Sequence, residues 1–386
     1  MRIFIRSKSL GQVITLALGL SLPFATSAFA DDCIEFSGEC IKPHKTYLSF
    51  KVEGESFSLE GIEQFKKLQA ITLAGEGYQG DPIDVSPLAN FENLTSFSAR
   101  GVSLTGLEAL SQTGITELSL SETGTQDFAF LEGLEDLISL NTDMLTSPRQ
   151  IPVLALTRLK GLTIDGPRLQ DLEGLDQAEG LAWLALHNTD LKDLEGAGHK
   201  PYLEMLSLNG SKTETLDGLE PGDALLGFHA DRSALVDIGA LASAPNLIEV
   251  QIEETPLADI SPLAGAHNLE KLMAKDSNVE DISALSEKSS LKNLSLTNTQ
   301  VSDLSPISGN TNLVLLGISN TQVTDLSPLS GLTNLVGLWL NETKVQDFSP
   351  LMPLARNRLG ARIGSDEHMQ GERLIQFIEA GGTAKD

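Results

Sequence analysis

A 22-residue period runs through most of the chain and limits what it can fold into. Residues 291–351 read LKNLSLTNTQVSDLSPISGNTN, LVLLGISNTQVTDLSPLSGLTN and LVGLWLNETKVQDFSPL, which are two complete copies and most of a third. The copies begin at Leu291, Leu313 and Leu335 with the pattern L-x-x-L-x-L or L-x-x-L-x-I. One unit of this length buries too little apolar surface to fold alone, so the units must stack on one another.

The same register continues towards the N-terminus. Steps of 22 residues reach Ile115, and steps of 21 and 26 residues then reach Leu94 and Leu68. We call the first residue of each unit its head. The thirteen heads are Leu68, Leu94, Ile115, Leu137, Leu159, Leu181, Leu203, Leu225, Leu247, Leu269, Leu291, Leu313 and Leu335. A fixed period in this range with an L-x-x-L-x-L start predicts an α/β solenoid of leucine-rich repeats.

Each unit contributes one strand and one short turn. Alternate residues of L-x-x-L-x-L point to opposite faces, so Leu294 and Leu296 point inwards while Asn293 and Ser295 point outwards. Thirteen parallel strands would form the concave sheet of a right-handed, curved horseshoe roughly 60 Å long. The D-L-S-P-L segment predicts a short 3-10 or α turn on the convex side, with serine as N-cap and proline at the first helical position.

An aspartate recurs just before these turns. The series is Asp127, Asp171, Asp193, Asp237, Asp259, Asp281, Asp303, Asp325 and Asp347. One interpretation is that each carboxylate caps amides of its turn. The other is a ladder of calcium sites, which the acidity of the chain favours and which the lack of alternating Gly/Asp ligands opposes.

The first 30 residues have the pattern of a signal peptide. Arg2, Arg6 and Lys8 precede an apolar run over 13–24, and Ala28-Phe29-Ala30 forms an A-x-A cleavage site. The apolar run is too short for a membrane span, so we expect no membrane insertion after cleavage. The sequence therefore predicts export to the periplasm or the medium.

The segments that flank the repeats predict caps. In the N-terminal cap, 31–67, Cys33 and Cys40 are expected to form a disulfide, with a metal site as the weaker alternative. Apolar residues at helical spacing over 58–67 predict a cap helix. Repeats fill 68–356, and apolar spacing in 357–386 predicts a C-terminal cap helix and tail.

The copies ending in NTQVTDLSPLSGLTNL resemble the 22-residue repeats of the internalin family of bacterial surface proteins. The resemblance covers about 68–351. It implies recognition of a protein partner through the concave face. Threonines such as Thr299 and Thr321 replace the asparagine of the family pattern, and a hydroxyl at that place can still bond a neighbouring backbone group. No immunoglobulin-like module or wall anchor follows the repeats, so host invasion is not implied and a periplasmic or freely released protein is expected.

Charge and motifs limit the function further. The formal net charge is −26, and loss of the three basic residues of the leader makes it −29, which argues against nucleic acid as a partner. No phosphate loop, nucleophile elbow or H-E-x-x-H motif occurs. We therefore expect no enzyme, no cofactor and no metal site.

The outward strand positions hold the candidate binding residues. Both tryptophans of the chain fall there, and exposed tryptophan is typical of contact hot spots. The predicted concave-face site consists of Trp183, His187, Met205, Asn209, His229, Asp231, Gln251 and Trp339. An alternative interpretation is that the tryptophans lie flat over their neighbours without a binding role.

Two functions follow from these observations. The first is an exported, monomeric binding module whose concave face holds an unidentified protein ligand. The second is a structural envelope or adhesion component whose acidic surface binds cations or glycan. Calcium-dependent melting would favour the second, and a protein partner lost on mutation of Trp183 would favour the first.

Overall fold

A computed structural model describes residues 33–357, 359–363 and 368–381. The predicted signal peptide, 1–30, lies outside these residues. In the part of the chain that is described, none of the helices has the length and apolar character needed to cross a bilayer.

Short strands and single turns alternate along the chain. In chain order the strands are β1 (Ile34–Phe36), β2 (Glu39–Ile41), β3 (Tyr47–Lys51), β4 (Ala70–Ala74), β5 (Ile83–Asp84), β6 (Ser96–Arg100), β7 (Leu104–Thr105), β8 (Glu117–Ser121), β9 (Ser139–Thr142), β10 (Gly161–Asp165), β11 (Trp183–His187), β12 (Gly198–Lys200), β13 (Met205–Ser207), β14 (Leu219–Pro221), β15 (Gly227–His229), β16 (Glu249–Gln251), β17 (Lys271–Met273), β18 (Asn293–Ser295), β19 (Leu315–Gly317), β20 (Gly337–Trp339), β21 (Gly360–Arg362) and β22 (His368–Gln370). The helices are α1 (Val153–Arg158), α2 (Met352–Ala355) and α3 (Gly371–Glu379).

The return half of most units holds a 3-10 turn. These turns are Ile62–Gln64, Ser86–Asn90, Leu107–Gln112, Ala129–Gly133, Pro148–Gln150, Leu175–Gln177, Gly239–Ser243, Ser261–Gly265, Ser283–Leu285, Ser305–Ile307, Ser327–Leu329 and Ser349–Leu351. The strand pair β12–β14 takes this place in two central units, whose sequences lack D-L-S-P-L.

One sheet runs the length of the solenoid and forms its concave wall. Its sixteen strands lie in the order β22-β21-β20-β19-β18-β17-β16-β15-β13-β11-β10-β9-β8-β6-β4-β3. From β3 to β21 neighbouring strands are parallel, and only β22 returns antiparallel against β21. The predicted parallel sheet is confirmed, and it exceeds the thirteen predicted strands by β3 at one end and β21 and β22 at the other.

The heads form the spine of the core. All thirteen are at most 1 % exposed, and the inward leucines that follow them, such as Leu294 and Leu296, are at most 2 % exposed. Each coil thus covers the apolar face of the next, while strand hydrogen bonds tie their backbones together. This confirms the stacking that the period predicts.

The convex turns begin one residue earlier than predicted. In Ser305–Ile307 the cap residue is Leu304, so serine and proline occupy the first two turn positions, and the serine is not the N-cap as predicted. Asp303 lies two residues before Ser305, and its Oδ1 accepts the Ser305 N–H at 2.7 Å. The aspartate therefore does the capping that the sequence analysis assigned to serine.

The N-terminal end is a hairpin and a strand with no regular helix. Cys33 and Cys40 form a disulfide across the β1–β2 hairpin, as predicted. The predicted cap helix over 58–67 is wrong, since only the 3-10 turn Ile62–Gln64 forms there. Gly61, with φ of 86°, starts that turn in the left-handed region, which a continuing α-helix cannot include. Phe36 and Phe65 pack edge to face and close the core instead.

The C-terminal end combines two strands and a helix. The strands β21 and β22 extend the sheet beyond the last predicted repeat, and Leu359 is fully buried before β21. The helix α3 buries Leu374 and Ile378, and Phe377 packs against Phe348 with ring centroids 5.2 Å apart. Water is thereby excluded from the last coil.

Two lysines lie inside the core, which the sequence analysis did not predict. Lys200 and Lys288 are fully buried three residues before a head, where other units carry residues such as Ala266 and Leu332. The Lys288 amine donates to the Ala264 carbonyl, and burial lowers the pKa of this lysine. The charged form is therefore disfavoured in the folded chain.

Replacing Lys288 by methionine should increase the free energy of unfolding by about 1–3 kcal/mol at neutral pH, because an apolar side chain of similar length fits the site without desolvating a charge. Since the folded pKa is lowered, the gain should shrink as pH rises towards about 10.4, where the unfolded lysine also loses its proton. Urea denaturation at neutral and alkaline pH measures both effects. Lys292→Met, at an exposed lysine that pairs with Glu270, is the matched control and should change little. A destabilised Lys288→Met variant would contradict this account.

Candidate functional site

The sheet arranges its outward side chains in three rows. We number the outward positions two, four and six residues after each head as first, second and third. Parallel pairing aligns equal positions, so Trp183 lies beside Met205 and Ser207 lies beside His229. Because neighbouring strands are about 4.8 Å apart, side chains of β11, β13 and β15 share one surface of roughly 10 Å.

The apolar part of this surface is formed by Trp183 and Met205. The Trp183 side chain stands out of the sheet with 45 % of its surface exposed. The Met205 thioether lies over Gly227 on the next strand, where any Cβ would overlap the Met205 Cε. Glycine at 227 thus gives the Met205 side chain the space to lie flat over β15.

A histidine and a serine lie next to these residues. His187 Nε2 and Ser207 Oγ are 2.8 Å apart in a hydrogen bond, and Ser207 is almost fully buried. Burial lowers the pKa of His187, although the Asp165 carboxylate opposes this shift. The imidazole is therefore neutral at neutral pH and acts as a fixed polar contact.

The second histidine lies at the edge of a charged network. His229 Nε2 is 3.5 Å from Glu249 Oε1, and this buried atom has no hydrogen-bond partner among the residues that the structure describes. Glu249 also accepts from Gln251 and, at 2.8 Å, from the Lys271 amine. Burial raises the pKa of Glu249, but these donors and the nearby charges outweigh it, so its pKa lies below the usual range.

Two of the predicted binding residues accept backbone N–H groups of the next coil. Asn209 Oδ1 accepts the Asp231 N–H, and Asp231 Oδ1 accepts the Glu253 N–H, each at 2.8 Å. These bonds tie the third outward position of one coil to the backbone of the next. Asn209 and Asp231 therefore hold neighbouring coils together through one side-chain oxygen each.

Trp339 is far from the other predicted residues. It lies on β20, seven strands from β11 in the sheet order, which is roughly 34 Å. Its ring lies over Gly337 and beside the exposed Leu315. Trp339 and Leu315 thus form a second apolar surface near the C-terminal end, and the structure does not bring this tryptophan to the others.

The arrangement around His187 lacks parts that nucleophilic catalysis needs. Ser207 is nearly inaccessible, and Asp165 Oδ1 accepts from Asn188 at 2.8 Å. Among the described residues no hydrogen bond joins Asp165 to His187, so no group orients the base. Within the same residues no group of three or more His, Cys, Asp or Glu side chains could hold a metal.

The recurrent aspartates all act in the convex turns. Each of the nine accepts, through Oδ1, the backbone N–H two residues further on. The bonds of Asp303, Asp325 and Asp347 are 2.7–2.8 Å long. The interpretation as turn caps is confirmed.

The threonines of the repeat also bond within their own coil. Thr299 and Thr321 donate to the carbonyls of Leu296 and Ile318, three residues earlier, at 2.6 and 2.7 Å. The expected bond to a neighbouring backbone group is therefore present. It closes the turn after the strand and does not join two coils.

Comparisons with known proteins agree with this architecture. The family model described as "Leucine Rich repeats (2 copies)" matches residues 311–351. No curated protein sequence matches the chain. Among solved structures, an internalin (inlF) of Listeria monocytogenes is 25 % identical, with a TM-score of 0.60 over 86 % of this chain and 91 % of that chain.

Two further structures share the fold. A leucine-rich-repeat protein of Leptospira interrogans is 19 % identical, with a TM-score of 0.67 over 83 % of this chain and 86 % of that chain. Drosophila Toll, in its complex with Spatzle, is 13 % identical, with a TM-score of 0.60 over 83 % of this chain and 55 % of that chain. The chain thus has the fold of leucine-rich-repeat proteins and resembles the internalins, and the last two likenesses concern the fold alone.

Replacing Asp303, Asp325 and Asp347 together by asparagine should flatten the acid dependence of stability. Hydrogen bonds from the following serines hold the pKa of these carboxyls below the usual range, for Asp303 chiefly the Ser305 backbone N–H. A lowered folded pKa adds stability that is complete above the unfolded value, about 3.9, and is lost as pH falls through the folded value. Urea denaturation between about pH 5 and pH 2 measures the slope.

The control for this experiment carries Glu92→Gln, Glu135→Gln and Asp136→Asn. These three exposed acidic residues lie outside the 3-10 turns. It should keep the wild-type acid dependence.

Millimolar calcium should leave the melting temperature of the wild type unchanged, because the turn carboxylates already serve as amide acceptors. A calcium-dependent rise that the triple asparagine variant loses would contradict the assignment.

Proposed function

We propose that the chain is an exported, monomeric binding module that holds a protein partner on the concave face of its sheet. The contact centre is the Trp183 patch, which we define as Trp183, His187, Met205, His229 and Asp231. The observation that carries the proposal is the large, half-exposed indole of Trp183 on β11, aligned with the apolar Met205 of β13, on a wall whose surrounding side chains are mostly polar. Exposed aromatic residues on a rigid backbone are typical centres of protein contacts.

The architecture supports the same function. Leucine-rich-repeat proteins commonly mediate protein–protein interaction, and a fixed parallel sheet can present varied side chains without a change of backbone. Toll, which has the same fold, is found in a complex with Spatzle. The disulfide between Cys33 and Cys40 fits an exported chain.

The envelope alternative has less support. Its cation-binding form depends on the recurrent aspartates, whose carboxylates accept turn amides. An enzyme is also disfavoured, since the described residues around His187 and His229 form no sheltered cavity with an oriented base. We therefore retain the protein-binding module as the function that the geometry supports best.

Trp183→Ala should weaken partner binding at least tenfold, because a buried aromatic anchor contributes about 2 kcal/mol or more at the centre of an interface. The partner is first isolated from envelope and medium fractions with residues 31–386 as bait, and its affinity is then measured by titration calorimetry. Thermal melting of the variant verifies that the fold is intact.

The matched control is Tyr47→Ala. Tyr47 is an exposed aromatic residue at the equivalent position of β3, six strands away in the same sheet. Its removal should leave the affinity within about twofold. Equal affinities for wild type and Trp183→Ala, or an equal loss in both variants, would remove the Trp183 patch as the contact centre.

A further inference from the structure

The two edges of the concave sheet differ in chemistry. At one edge the strands begin, and the residue after each head bonds to its counterpart on the preceding coil. The Leu226 N–H donates to the Glu204 carbonyl at 2.9 Å, and the Ile248 N–H donates to the Leu226 carbonyl at 2.8 Å. These bonds place successive side chains of this strand-start edge side by side, about 4.8 Å apart.

The large apolar side chains on the surface concentrate at this edge. Among the described residues twelve such side chains are exposed, and eight lie at the first position of a sheet strand or within three residues before it. The eight are Tyr47, Ile138, Trp183, Tyr202, Leu226, Ile248, Leu315 and Val336. Chance placement around the coil would spread them over the convex side as well.

The middle of the edge carries a continuous apolar stripe. Trp183, Met205, Leu226 and Ile248 come from four successive coils, so they extend over roughly 15 Å. Leu226 and Ile248 are each almost 40 % exposed, and Tyr202, one residue before the head of the second coil, is 64 % exposed. We call Trp183, Met205, Leu226, Ile248 and Tyr202 the edge stripe. This stripe extends the Trp183 patch towards the edge of the sheet where the strands begin.

The fold does not require apolar residues in the edge stripe. At the position of Leu226 and Ile248, other coils carry Thr95, Lys160 or Lys292 with the same backbone hydrogen bonds. Strand propensity therefore does not explain the choice. An exposed apolar strip bounded by polar residues is typical of a surface that another protein covers.

The opposite edge, where the strands end, is polar for a reason of backbone geometry. In most coils the residue that follows the third outward position has a positive φ. In four of the central coils this residue is Asn188, Arg232, Glu254 or Asp276. Left-handed backbone disfavours large apolar residues. On the wall beside this edge two acids are neighbours, since Asp231 Oδ1 accepts the Glu253 N–H at 2.8 Å, and burial together with the Asp231 carboxylate raises the pKa of Glu253.

We propose, on the basis of the function above, that the partner docks across the strand-start edge and presents an apolar surface bordered by lysine or arginine. The apolar part covers the edge stripe. The basic side chains reach the carboxylates of Asp231, Glu249 and Glu253 on the wall. Charge complementarity favours this partner over an acidic or purely apolar one, because an acidic partner would meet these carboxylates with like charge.

The experiment uses a display library of random 16-residue peptides selected against residues 31–386, followed by affinity measurement on the synthesised winners. We expect winners with at least one large apolar residue and a positive net charge. The Leu226→Ser/Ile248→Ser variant should weaken their binding at least tenfold. The control, Val153→Ser/Leu154→Ser, removes two even more exposed apolar side chains from α1 on the convex side and should change binding less than twofold.

A second variant tests the charge component. Asp231→Asn/Glu253→Gln removes both charges, and the amide oxygen that replaces the carboxylate at position 231 can still accept the backbone N–H of residue 253. This variant should bind the winners more weakly at low salt, and its affinity should fall less steeply as salt is added. An unchanged salt dependence would overturn the basic character of the partner.

The outcomes separate this inference from the proposed function. Winners that lose binding on Trp183→Ala and keep it on Leu226→Ser/Ile248→Ser overturn edge docking and leave the concave-face function intact. Winners insensitive to both variants contradict both. A selection that returns no binder overturns the edge proposal. The affinity of the isolated partner for Trp183→Ala then still tests the concave-face function independently.

Discussion

Burial of one leucine or isoleucine head per coil is the interaction on which the rest of the structure depends. A single unit cannot offset the entropy of ordering its 22 residues, so each coil is stable only between two others. The parallel strand bonds set the spacing between coils, and the convex turns return the chain to the next head. Once this repeat is fixed, the outward positions are free to vary.

The backbone limits that freedom at one edge only. Left-handed turn residues keep the strand-end edge polar, and Asn209 and Asp231 use their side-chain oxygens to bond the next coil. The strand-start edge has no such requirement, and there the chain carries its exposed apolar side chains. The difference between the two edges is what turns a regular scaffold into a candidate recognition surface.

Much of this architecture could be predicted from sequence because it repeats. The heads, the parallel sheet and the capping role of the aspartates follow from the period. Even the exposure of Trp183 follows from strand alternation, since the inward residues of its strand are Leu184 and Leu186. The predicted cap helix over 58–67, which lies outside the period, is wrong because Gly61 has a left-handed backbone. The buried Lys288 stands where the coils on either side carry the uncharged Ala266 and Asn310, so aligning the repeats at the position three before the head would have revealed it.

The candidate site was less predictable than the fold. Sequence alone cannot show that Asn209 and Asp231 bond to the next coil, or that Trp339 lies too far from Trp183 to share a contact. The central claim is that a partner covers the concave wall around β11, β13 and β15. Hydrogen exchange of the chain with and without its isolated partner tests this most directly. The account predicts added protection in 182–187, 204–209 and 226–231, and protection confined to the convex turns would contradict it.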